Sequence, residues 1–186
     1  FEQEVGPELS AIAGMHGDVA EDIGKKSDGI GPSKKGDHLS RVILAGSEIG
    51  RIVVETKSGK ITMSGNDSIQ SELKESMVVN NAAVGVAVVD WEFAPKKLQK
   101  EGILTPQPNM FVIPVNRSEG DFKVLAFLYR VIRLQMVASH MQERKHADAI
   151  DPQVVVSICK GGISELANVN KLMKNLKSSS DIALKV

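Results

Sequence analysis

Residues 24–37 read GKKSDGIGPSKKGD, a stretch that cannot be part of any packed core. It holds four Gly, four Lys and one Pro, with Ile30 as its one apolar residue. A segment with so little to bury reads as a flexible linker over 25–37. It sets an N-terminal arm, 1–24, apart from a body, 38–186.

In the arm, Pro7 suits the first turn of a helix. Leu9, Ile12, His16, Val19 and Ile23 then recur at steps of three and four, one helical face. Gly14 and Gly17 weaken that helix by ~1 kcal/mol each relative to Ala. The expectation is a fragile amphipathic helix that needs a partner surface, with Leu9, Ile12, Val19 and Ile23 as its docking face. The arm carries Glu2, Glu4, Glu8, Asp18, Glu21 and Asp22 and no Lys or Arg. Residues 160–186 carry five Lys against Glu165 and Asp181. The balanced totals, 23 basic and 23 acidic residues, therefore hide opposite ends that are suited to association.

The body opens with β-branched runs at Arg41–Ala45 and Gly50–Thr56 and a third short run at Ile61–Met63, predicting an antiparallel meander. Ile52 and Val54 alternate with Arg51, Val53 and Glu55, so one face of the second strand reads as half exposed. Asn66-Asp67-Ser68 looks like a cap for a helix over Ser68–Asn80, with Ile69, Leu73 and Met77 as its stripe. Val84–Val89 reads as a strand buried on both faces. Prolines punctuate 94–115, leaving a short helical turn at Lys96–Lys100 and a strand at Met110–Ile113. The longest helix runs from about Phe122 to Ala149 and is apolar nearly all round in its first half. Gln153–Ile158 reads as a further buried strand, Gly161-Gly162 as a turn, and Ile163–Leu176 as a last helix. This order predicts an α+β fold, or a three-layer α/β one: a meander plus buried strands around a long central helix, with an N-terminal helical arm.

Cys159 is the sole cysteine, which excludes an internal disulfide and a Cys-based metal cluster and fits a reducing, cytoplasmic setting. The most apolar stretch, Val124–Ala138, is broken by Arg130, Arg133 and Gln135 and is too short to span a bilayer, so no membrane association is expected. The acidic start lacks the basic region of a signal peptide.

Several constellations bear on chemistry. Cys159 sits where a strand would meet a Gly-Gly turn and a helix start, a setting that lowers a thiol pKa. A phosphatase loop, though, needs an Arg at the sixth residue after the Cys, where this chain has Glu165. Lys160-Gly161-Gly162-Ile163-Ser164 is glycine-rich but matches neither a Walker loop nor G-x-G-x-x-G. Glu143-x-x-His146 is half of a carboxylate-bridged metal motif with no second copy, and His140 lies off its face. Ser157 and Ser164 have no assignable base among His16, His38, His140 and His146. Sequence alone thus assigns no catalytic, cofactor-binding or metal-binding residue. The expectation is a non-enzymatic interaction or structural module, with protein partners in a homo-oligomer or larger complex. Nucleic acid is the alternative partner, held by phosphate contacts from Arg130, Arg133, Lys171, Lys174 and Lys177. A small α/β enzyme with its site around Cys159 comes third.

Overall fold

The computed structural model describes residues 1–24, 35–116, 120–143, 153 and 156–163. A five-stranded mixed sheet, ordered β1-β2-β3-β4-β5, forms the middle layer. Its strands are β1 (Val19–Asp22), β2 (His38–Leu44), β3 (Ser47–Lys57), β4 (Val84–Asp90) and β5 (Met110–Val115). The first three pair antiparallel, while β4 and β5 run parallel to β3. The helices are α1 (Glu2–Gly14), α2 (Ile69–Val79), α3 (Lys96–Glu101) and α4 (Lys123–Glu143).

Topology decides which face each helix covers. Two successive parallel crossovers that step in one direction, each right-handed, must place both connecting helices on the same face. Accordingly α2 and α3 share one core with that side of β4 and β5: Ile69, Leu73 and Leu98 pack against Ala87, Val89 and Val112. The other face is left for α1 and α4, whose Val5, Leu9, Ile12, Leu128 and Ile132 pack on Val42, Ile52, Val86 and Phe111. The α+β architecture expected from the element order is therefore present, as a sheet between two helical layers. Every residue of β4 and of β5 is buried, as their unbroken apolar runs require. Ser68 caps α2, its hydroxyl accepting from the Ser71 backbone at 3.3 Å.

Several expectations are corrected. The arm is not one helix reaching Ile23: α1 ends at Gly14, the chain turns through Gly17 at φ +74°, and residues 19–22 join the sheet. Glycine at that angle costs nothing sterically, and pairing with β2 gives the following residues backbone partners that an isolated helix would lack. Nor does the stripe wait for another chain, because Leu9 and Ile12 are buried in the chain's own core. Val19 is exposed on the edge strand and Ile23 half-buried, so the four residues form no common docking face. The meander is β1-β2-β3, and Ile61–Met63 is not a strand. Gln153 and residues 156–163 are helical, which replaces both the strand expected at Gln153–Ile158 and the Gly161-Gly162 turn. Residues 25–34 of the expected 25–37 linker, the far end of the long helix and the last helix beyond Ile163 lie outside the described residues. None of the described helices is long and apolar enough to cross a membrane.

Candidate functional site

The helical setting removes the case for Cys159. The thiol lies inside the helical segment, buried against the α1/α4 core, and burial pushes its pKa up to about 11. Almost no thiolate exists at neutral pH under those conditions. The folded protein should therefore resist a disulfide-exchange thiol reagent over an hour and titrate one thiol once guanidinium unfolds it. Rapid labelling of the native protein contradicts this. Lys160 pairs with Glu101 at 3.5 Å, and the two following glycines continue the helix rather than forming an anion cradle.

The other sequence candidates scatter. Arg133 is engaged with the buried carboxylate of Asp18 at 2.8 Å, so it is no free phosphate contact. Arg130 is exposed on α4. His16 stacks on Tyr129 and His38 is buried beneath α1, so they do not meet. His146, Ser164, Lys171, Lys174 and Lys177 lie outside the described residues, as does the side chain of Glu143.

What the fold does assemble was read in the sequence as linker end and solvent face. At the C-terminal end of β3, Glu55 and Lys57 are two residues apart, so strand alternation turns both toward α2. Glu55 is buried there, and the Ser76 hydroxyl of α2 donates to its Oε1. Lys57 forms an ion pair with Glu72, one turn earlier on α2. Thr56, between them in sequence and turned to the opposite face, gives its backbone N–H and its hydroxyl to Oδ2 of Asp37, at 2.6 and 2.7 Å. Asp37 is itself fixed by its backbone: its N–H donates to Val54 O at 3.1 Å, and its carbonyl accepts from Ile23 and Gly24 at 2.9 and 3.1 Å. It thus stands where the ends of β1, β2 and β3 meet.

Neighbouring groups complete the cluster. A methyl group built on Gly24 would lie 3.2 Å from Glu2 Oε1, 3.5 Å from Asp22 Oδ1 and 3.7 Å from the Cα of Asp37. The carboxylates of α1 and β1 therefore border the same corner. Lys35 pairs with Glu75 at 2.8 Å, and Asn80 Nδ2 donates to the Lys35 carbonyl at 2.7 Å.

Electrostatically, Glu55 is the unusual member. Burial raises its pKa above the ordinary carboxylate value; the Ser76 hydrogen bond and Lys57 oppose the rise, while the charges of Asp37 and Glu72 add to it. A buried acid facing further negative charge is an arrangement that a cation relieves. Among the described residues, no three His, Cys, Asp or Glu side chains converge as ready metal ligands. The oxygens of Asp37 and Glu55 nevertheless suit Mg²⁺, which is commonly held by one or two carboxylates, with waters and substrate phosphate filling the remaining positions. Comparison with known proteins adds nothing to this geometry: no family model, characterised protein or solved structure matches the chain.

Proposed function

We propose that the chain is a metal-dependent phosphodiesterase acting on nucleic acid, centred on Asp37, Glu55 and Lys57. The observation that carries this reading is Glu55: an acid buried at a strand end beside Asp37, with an ammonium group two residues further along the same face. In structural terms alone the position is costly, because an apolar residue would continue the buried run Ile52–Val54 at no electrostatic penalty.

Each group has a task in phosphodiester hydrolysis. Asp37 and Glu55 would supply hard oxygen ligands for a divalent cation. That ion, when bound, neutralises phosphate charge and makes a water more acidic. Lys57 offers a compact positive charge for a phosphate oxygen, the role that lysine fills where planar recognition is not needed. Water adds to phosphorus, one P–O ester bond breaks, and the departing oxygen takes a proton. An open strand end flanked by lysines suits a polymeric substrate better than an enclosed cavity would.

This reading departs from the expectation of a non-enzymatic interaction module. That expectation rests on an apolar arm and on oppositely charged chain ends, and of these the arm's Leu9 and Ile12 are buried on the chain's own sheet. Nucleic acid, the alternative partner in the sequence, is the partner of this reading, through Lys57 in place of the Arg and Lys rows.

The test is incubation of the protein with end-labelled single-stranded and duplex DNA and RNA in Mg²⁺ or Mn²⁺. Cleavage that chelation with EDTA abolishes is expected. If every substrate stays intact with both metals, the hydrolase reading fails; binding without cleavage then makes the chain a nucleic-acid-binding protein.

A further inference from the structure

We infer that Trp91 and Phe93 form a stacking platform for the unpaired bases of a single nucleic-acid strand, with the lysines of α3 holding its phosphates. This deepens the hydrolase reading and rests on it, since it names the substrate class of that site. The composition, with a single Trp and a single Tyr, argues against base stacking as a means of recognition. The structure alters that argument by where it puts the aromatic residues.

β4 lies beside β3 in parallel register, with Lys57 next to Val89. Trp91 follows Val89 by two residues, so it begins only about 7 Å further along the neighbouring strand at ~3.3 Å per residue. It opens a short 3₁₀ turn, Trp91–Phe93, from which Trp91 and Phe93 emerge 39% and 40% exposed. The turn is rigidly held. Asp90 Oδ1 accepts from Glu92 N, while Trp91 O accepts from Ala94 N at 3.2 Å and from Gln99 Nε2 at 2.8 Å. Neither ring belongs to either hydrophobic core, and the two stand exposed two residues apart on one hydrogen-bonded turn.

Charge selects the occupant. Immediately after the turn, Lys96, Lys97 and Lys100 of α3 are all exposed, against the exposed carboxylate of Glu92. An apolar peptide would have no use for three lysines, and a duplex would keep its base faces stacked inside. Aromatic faces interleaved with cations are what an unpaired strand needs, since every base has a face to stack and every link a charge to neutralise. The same end of the parallel strands is also where open α/β sheets receive ligands.

Trp91 is the only tryptophan, so its fluorescence reports stacking directly. The full chain should be titrated in EDTA at low salt with oligothymidylate, oligouridylate and a blunt DNA duplex. Saturable quenching by one or both single strands is expected, weakened by added salt and slight with the duplex. The two homopolymers separate DNA from RNA. Trp91→Ala and Phe93→Ala, followed by anisotropy of a labelled strand, should each weaken binding about tenfold, while Trp91→Phe retains most of it. Absence of single-strand binding, binding with unchanged Trp91 emission, preference for the duplex, or alanine variants that bind as well as the parent would each overturn the inference. Cleavage is scored separately with Mg²⁺. Hydrolysis with a silent Trp91 leaves the hydrolase reading standing and removes the platform; quenching without hydrolysis does the reverse.

Discussion

Glu55→Gln reduces metal-dependent cleavage by roughly 10²–10³-fold or more, on the scale of removing one charge-stabilising group from an active site, and raises the melting temperature at neutral pH. The two effects share one cause. Glu55 is buried among Asp37, Lys57, Glu72 and Ser76, and burial together with the neighbouring carboxylates lifts its pKa. An acid whose folded pKa exceeds its unfolded value lets the native state hold the extra proton. Stability then falls as pH rises from the unfolded value through the raised one. Gln has the same shape, still accepts from Ser76 and does not titrate. Its advantage is therefore present at neutral pH and vanishes below the ordinary carboxylate range. Melting curves at neutral and acidic pH, run beside the cleavage assay, measure both. A variant that is less stable at neutral pH, or one that cuts normally, contradicts the assignment. Lys57→Ala should lose cleavage comparably yet change stability by no more than about 1 kcal/mol, because its pair with Glu72 is part-exposed.

Glu55 continues the alternation of Arg51 and Val53, and alternation with a charge at the end ordinarily marks a solvent face. Only the docking of α2, through Leu73 and Ser76, turns that face inward. Asp37 closes a linker and looks like part of it; its role depends on the backbone bonds to Val54, Ile23 and Gly24, which tie the end of β1 to the β2–β3 hairpin across the intervening linker. A usable signal did exist: a Glu in line with a buried run, followed two residues later by a Lys. The fold was more legible where periodicity and punctuation agreed, as in α2 with its Ser68 cap and in the all-apolar β4 and β5. It failed at β1, whose Val-Ala-Glu-Asp has no alternation and is a strand only because β2 lies beside it. It failed again at Gln153 and 156–158, which are helical although the stretch reads as a strand, because β propensity is a weak local preference.

Asp18→Ala should cost about 3–5 kcal/mol, the range seen when one partner is removed from a buried ion pair. Asp18 follows directly on the Gly17 turn, with its side chain fully buried. Oδ1 accepts from Ile43 N at 2.9 Å; Oδ2 accepts from the Tyr129 hydroxyl at 2.9 Å and from Arg133 Nε at 2.8 Å. Arg133 donates onward to the carbonyls of His16 and Ile43, both at 3.2 Å. One carboxylate thus fastens the α1–β1 turn to β2 and α4, and burial with the adjacent Asp18 charge drives the Tyr129 pKa well upward. Removing it leaves a guanidinium, a hydroxyl and a backbone N–H buried without their acceptor. At ~2–4 °C per kcal/mol for a chain of this size, the melting temperature should fall by about 6–20 °C. Asp18→Ala combined with Arg133→Met should lose much less than the sum of the single changes, because the stranded charge is then gone. A single variant within about 1 kcal/mol of the parent would show the network to be dispensable. β1 pairs with β2 as far as Asp22 and His38, next to Asp37, and Asp18 fastens the opposite end of that pair without touching the site. Measured well below its melting point, Asp18→Ala should cut nucleic acid at close to the parent's rate, whereas Glu55→Gln should stay roughly 10²–10³-fold slower or more at every temperature. That contrast separates the residue that fastens the frame from the one that does the chemistry.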